Sequence, residues 1–195
     1  MKSVLISIQP KWCKLILKCM GWENQRPFYK KRLELRKTAP KPPFKAYIYC
    51  TKGKNKNDKF YIAHKGNNYL ANGKVIAEFT CDYVVSHCEM ANADIAERMS
   101  CVPREDILKY ASGKNVRGWC IDNLVIYDKP KELSEFFVYC GDNPKCDGCE
   151  AHYYSNTECG KEDYCCSVID GCRPLKRPPQ SWCYVDHPTE KGGAE

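Results

Sequence analysis

An α+β fold, or a small barrel carrying short helices, is what this sequence predicts. Five or six segments show the two-residue alternation of strands, and short helical segments fall between them in no strict strand–helix–strand order. The 195 residues are 43% hydrophobic and 28% charged, an ordinary balance for a chain that buries a core. That length suits one domain with decorations or two very small ones.

The elements follow from the N-terminus. KSVLISI, residues 2–8, reads as a buried first strand. Pro10 suits the first turn of a helix, where its missing N–H costs nothing. The helix continues with Trp12, Leu15, Ile16 and Cys19 at i, i+3, i+4, i+7 and stops at Gly21. YKKRLELRK (29–37) then alternates, Leu33 and Leu35 to one side, Arg32, Glu34 and Arg36 to the other. Pro40, Pro42 and Pro43 forbid its continuation. FKAYIYC (44–50) is a second core strand, and residues 51–73 make an excursion with a small hairpin. KVIAEFTCDYVV (74–85) reads as one long strand, followed by short helices in ANADIAERM and SCVPREDILKYA, the second closed by Gly113. VRGWCIDNLVIYD (116–128) is another strand, ended by Lys129-Pro130, and RPPQSWCYV (177–185) is a terminal one. The tail from 187 to 195 is expected to fray, and no internal repeat is present.

The formal charge of +7 favours polyanions over acidic partners. Lys52, Lys54, Lys56 and Lys59 cluster in a Gly- and Asn-rich loop, whose plainest reading is a solvated surface loop, with a phosphate-touching arm the alternative. No apolar run approaches the ~20 residues that span a bilayer, and the apolar start is too short for a signal-peptide core. A cytoplasmic protein with no membrane contact is the expectation.

Fifteen cysteines are the outlying feature, seven of them within residues 140–172. A secreted disulfide scaffold is small and evenly studded with cysteine, unlike this chain, so reduced thiols and a local metal site fit better. Cys146-Asp-Gly-Cys149 has the tight C-x-x-C turn that lets two thiolates reach one zinc. A second pair comes from Cys140, Cys159, Cys165, Cys166 or Cys172. Cys140 and Cys172 are favoured because they sit where the segment leaves and rejoins the chain, with His152 an alternative ligand. Four sulfur ligands make the zinc structural. Disulfides are the competing reading.

Five fragments, taken in order, resemble one family. SIQPKWCKLI, KKRLELRK, GKVIAEF, GWCIDNLVIYDKPKELSEF and RPPQSWCYV resemble the ASCH domain of the PUA-like superfamily, closest to its bacterial and phage-type branch. Lys31, Glu34 and Arg36 occupy the polar places of the signature G-x-K-x-x-E-x-R, and Gln9-Pro10 with Trp12 resembles the Q-P-x-W start of the family's first helix. The resemblance implies a PUA-like β-barrel over residues 1–138 and 174–186, interrupted by a cysteine-rich insertion at 139–173. It also implies a cleft between the first helix and the motif strand that takes nucleic acid or a modified nucleoside. One branch of similar proteins hydrolyses the acetyl amide of N4-acetylcytidine, with a lysine where Lys31 stands and a threonine nucleophile where Glu34 stands. This chain departs there, having a carboxylate for the hydroxyl, and the loop before Lys31 is longer than the family's glycine turn.

Chemistry gives the charged strand a matching role. Glu34 and Arg36, two apart, share a face. An arginine fork binds phosphate in bidentate fashion, and a carboxylate accepts from the exocyclic amine of a cytosine-like base. Lys31 offers a second phosphate contact, Trp12 or Trp119 a stacking platform, and Ser181 a place on the cleft wall. The ligand-binding set is therefore Gln9, Trp12, Lys31, Glu34, Arg36 and Ser181. The plain alternative is a cross-strand ion pair that pins the strand, worth ~0.2–1 kcal/mol when exposed. Neither Ser181 nor Cys183 has a histidine placed to activate it, so no catalytic residue is assigned. Three functions remain: a module binding RNA or a modified nucleoside, an amidohydrolase acting on an acylated nucleoside, and an adaptor meeting a protein partner through its zinc-bearing insertion.

Overall fold

The computed structural model describes residues 2–17, 31–53, 58–64, 67–86, 93–138 and 174–186. Strand β1 (Lys2–Ile8) leads into helix α1 (Pro10–Leu17), with Pro10 at the first helical position as its fixed φ allows. The motif strand β2 (Leu33–Arg36) and the core strand β3 (Phe44–Cys50) come next, then a hairpin of β4 (Tyr61–His64) and β5 (Asn67–Leu70). After β6 (Lys74–Cys81) and β7 (Val84–Val85) stand two helices, α2 (Ala93–Ser100) and α3 (Arg104–Ala111). The chain then forms β8 (Arg117–Cys120), β9 (Asp122–Lys131), a 3-10 turn (Leu133–Glu135), β10 (Phe137–Val138) and β11 (Trp182–Asp186).

The largest sheet has the order β10-β11-β1-β3-β6-β9, with β1 and β3 parallel and the other pairs antiparallel. Central β1 is buried from Ser3 to Ile8, which is why its sequence runs apolar instead of alternating cleanly. Val4, Ile6 and Ile8 pack on one face with Cys13 and Ile16 of α1. Leu5 packs on the other with Tyr47, Tyr49, Phe136 and Val185. A second sheet, β2-β8-β7, lays Leu33 and Leu35 against Ala96, Ile107 and Ala111 of the two helices. The α+β class is as the sequence predicts.

The closed barrel is not what forms. The described strands make three separate sheets, and β9 and β10 are edges of the largest. The chain leaves that sheet after Cys81 and returns to it at Asp122, spending the interval on the second sheet and its helices. The motif strand thus meets the large sheet through side chains and lacks a backbone ladder to it.

Two long strands divide for the same reason. Residues 74–85 split at Asp82 and Tyr83 into β6 and β7, and residues 116–128 split at Ile121 into β8 and β9. At that break the Ile121 N–H donates to Arg32 O at 3.0 Å and Asn123 takes a positive φ of 47°, a left-handed turn that asparagine tolerates. Pro130 does not end β9, which runs to Lys131. On an edge strand the missing N–H forfeits no ladder bond. Phe137 bridges to Pro174, so the chain leaves and rejoins the fold at one place around residues 139–173. That segment, with Cys140, Cys146, Cys149 and Cys172, and the tail at 187–195 lie outside the described residues. Among the described residues no helix is long and apolar enough to cross a membrane.

Candidate ligand-binding site

The polar residues of the motif meet at the C-terminal end of β1. Strand alternation sends Leu33 and Leu35 to the helices and leaves Glu34 and Arg36 facing the large sheet. The carboxylate is 5% exposed and lies between two cations, with Lys31 Nζ 3.2 Å from Oε2 and Arg36 Nη2 3.0 Å from Oε1. Arg36 Nη2 also donates to Ser7 O at 2.6 Å, which ties the motif strand to β1. Lys31 is 1% exposed, and its ammonium donates to Leu33 O at 3.0 Å and Ser100 O at 2.9 Å. A fully buried ammonium is costly unless so satisfied, and here two of its three donors are given to carbonyls inside the protein.

Two atoms of this group stand out. Glu34 Oε2 and Arg36 Nε are both buried, and among the described residues neither has a hydrogen-bond partner. Oε2 does lie 3.2 Å from the Lys31 ammonium, an ion-pair contact. The triad thus contains one acceptor and one donor without a hydrogen bond, in a place where an unmade one costs about 1–3 kcal/mol each.

The remaining expected residues surround this pair unequally. Gln9 is exposed, and its carbonyl accepts from the Trp12 and Cys13 N–H groups at 2.9 and 3.0 Å, opening α1. Trp12 is half-buried, its ring centroid 5.2 Å from Lys31 Nζ and 4.5 Å from Lys11 Nζ. Both approaches are cation–π contacts that hold the indole beside the triad. Ser181 is half-buried before β11, and its carbonyl accepts from Ser7 N at 2.9 Å. It therefore reaches the site through the same residue that Arg36 grips. Trp119 is not a stacking platform. It is fully buried opposite Glu34 in the β2–β8 ladder, stacks edgewise on Phe44 and Trp182, and donates its indole N–H to Thr38 O.

Sequence reasoning missed Ser7 and Ser100. Ser7 carries a signal of its own, a hydroxyl in a central apolar strand, which donates to Pro179 O at 2.7 Å. Ser100 acts through its carbonyl, which any residue possesses, so no residue type announces it.

Burial governs the thiols packed in the core. Burial pushes the Cys183 thiol up to about 11 and the Cys81 thiol up to about 12. Burial, then the nearby Cys50 thiol, raises Cys13 well above its ordinary value. Thiols raised in this way are poor nucleophiles at neutral pH. Among the described residues no cluster of three or more His, Cys, Asp or Glu is placed to hold a metal ion.

The chain matches no family model and no curated protein. Solved structures do match in fold. The ASCH protein from Zymomonas mobilis superposes with a TM-score of 0.51 at 16% identity, covering 95% of this chain and 88% of that one. Its tyrosine-to-phenylalanine mutant gives 0.52 at 16% identity, over 95% and 91% of the two chains. Its serine-to-alanine mutant gives 0.53 at 16% identity, over 95% and 89%. At this identity the likeness shows the fold, and the fold is that of the ASCH domain.

Proposed function

We propose that this ASCH-fold chain binds RNA or a modified nucleoside between α1 and β2, with Glu34 and Arg36 as the recognition pair. The observation that carries the reading is the unmet acceptor on Glu34 Oε2 together with the unmet donor on Arg36 Nε. A triad kept only for stability gains little from burial and has no reason to leave two atoms without a hydrogen bond. A base edge that presents an N–H next to an acceptor, as cytosine and adenine do, satisfies both at once. Half-buried Trp12 supplies a face on which such a base stacks, an interaction worth ~1–3 kcal/mol per base. The net charge of +7 and the motif's resemblance to the ASCH family support a polyanionic partner.

Titration with short single-stranded RNA across a range of salt concentrations tests this. Arg36→Ala is expected to weaken binding about 10–100-fold, the size of a lost charge-assisted hydrogen bond. The salt slope is expected to flatten by about 0.7. Unchanged affinity and slope would remove the ligand role and leave a structural ion triad.

Hydrolysis of an acylated nucleoside has a narrower footing. Glu34 Oε2, the candidate base, is ion-paired with Lys31, and Lys31, the obvious acid, already donates to two carbonyls. Release of cytidine from N4-acetylcytidine would reverse this order. The cysteine-rich segment is proposed to bind structural zinc through Cys140, Cys146, Cys149 and Cys172. The Phe137–Pro174 bridge supports the outer pair by drawing together the flanks of the segment. Protein purified without chelator is expected to carry stoichiometric zinc, and a metal-free, folded preparation would point to disulfides instead.

A further inference from the structure

A second arginine stands where the motif does not reach. Arg117 is directly opposite Arg36 in the β2–β8 ladder, and directly paired residues project from the same face with Cβ atoms about 4.5–5.5 Å apart. Like charges in that position destabilise a sheet. The usual remedy is a neighbouring carboxylate. The carboxylate present, Glu34, is already shared between Lys31 and Arg36, and exposed Arg117 has no ion-pair partner among the described residues. One anion therefore faces three cations. The row is ordered, too. Glu34 pairs with buried Trp119 and, two residues on, Arg36 pairs with Arg117, about 7 Å farther along the strand.

We infer that Arg36 and Arg117 together seat a phosphate group, so that the site takes a nucleotide, free or within RNA, in preference to a nucleoside. Arg36 Nη2 is held by Ser7 O and Glu34 Oε1, which leaves its Nη1 to join the Arg117 fork around a tetrahedral anion with oxygens to share. A phosphate there cancels the surplus charge and converts the cross-strand repulsion into a bridge. The base edge lies on Glu34 and the phosphate at the outer end of the row, a spacing that one nucleotide spans. This deepens the binding reading above and rests on it.

Affinities for cytidine, cytidine 5′-monophosphate, an RNA octamer and inorganic phosphate, measured on the full chain and its Arg117→Ala and Arg117→Lys variants, test the seat. Wild type is expected to prefer the nucleotide to the nucleoside by about tenfold or more. Arg117→Ala brings that ratio close to one and flattens the RNA salt slope by about 0.7, while the ligand-free Tm rises because a repulsion is gone. Arg117→Lys, which keeps charge but loses the fork, falls between. A ratio of one in wild type, a ratio that survives Arg117→Ala, or inorganic phosphate binding as tightly as the nucleotide would overturn the seat and leave base recognition standing. If wild type binds none of the nucleoside, the nucleotide and the RNA, the binding reading fails and takes the seat with it.

Discussion

Lys31 is the residue whose surroundings constrain the site most tightly. Its ammonium joins the start of the motif strand to Ser100 at the end of α2, 69 positions away, and lies against the Glu34 carboxylate. Removing the ammonium leaves Glu34 its Arg36 partner but strips the buried Leu33 and Ser100 carbonyls of a donor, at a cost of about 1–3 kcal/mol each. Lys31→Met keeps the stem's volume and is expected to lower stability by that amount in denaturant unfolding. Adding Glu34→Gln to Lys31→Met should recover part of the loss, because the two substitutions share one interaction. A loss below about 1 kcal/mol in the single variant would show that the ammonium is solvated. Strand alternation made the shared face of Glu34 and Arg36 readable in the sequence, since a period of two needs no tertiary knowledge. The burial of Lys31 was not readable. A lysine opening a charged strand looks like a surface group until a carbonyl from a distant helix is placed over it.

At the scale of elements, the site depends on how closely β8 lies under β2. Gly118 is paired with Leu35, and a Cβ built there would stand 2.7 Å from Leu33 Cδ2 and 2.9 Å from its Cγ. Leu33 is buried among Ala96, Ile107 and Val116 and has nowhere to retreat. Gly118→Ala is expected to destabilise by about 1–3 kcal/mol through overpacking and to weaken ligand binding by displacing the strand that carries Glu34. A variant as stable as wild type would mean that β2 and β8 are not so tightly apposed. The hairpin at Tyr61–His64 and Asn67–Leu70 and the central strands were legible from pattern and turn residues. The breaks at Asp82–Tyr83 and Ile121 were not, because apolar alternation continues through both. Only the partner sheet changes there, and partner choice is a long-range property that no local window contains.

For the molecule as a whole, the second sheet explains why a buried charged triad exists in so small a protein. A closed barrel would join β2 to its neighbours by backbone hydrogen bonds. Here the motif strand is fastened to β1 by Arg36 reaching Ser7 O, and to α2 by Lys31 and by the Arg32 N–H bonded to Met99 O at 2.7 Å. Side chains at such a junction hold the two sheets together, and the proposed recognition pair is drawn from these same side chains. The same arrangement makes closure invisible to sequence patterns, since strands that abut through side chains and strands that share a ladder alternate alike. The central claim is that the Arg36 Nε–H and Glu34 Oε2 await a base edge. Its most direct measurement is the nitrogen–proton NMR signal of Arg36 Nε during titration with short single-stranded RNA. The account predicts that this signal shifts and that its exchange with solvent slows in step with RNA saturation. RNA that saturates the protein while the Arg36 signal stays where it was would contradict the account.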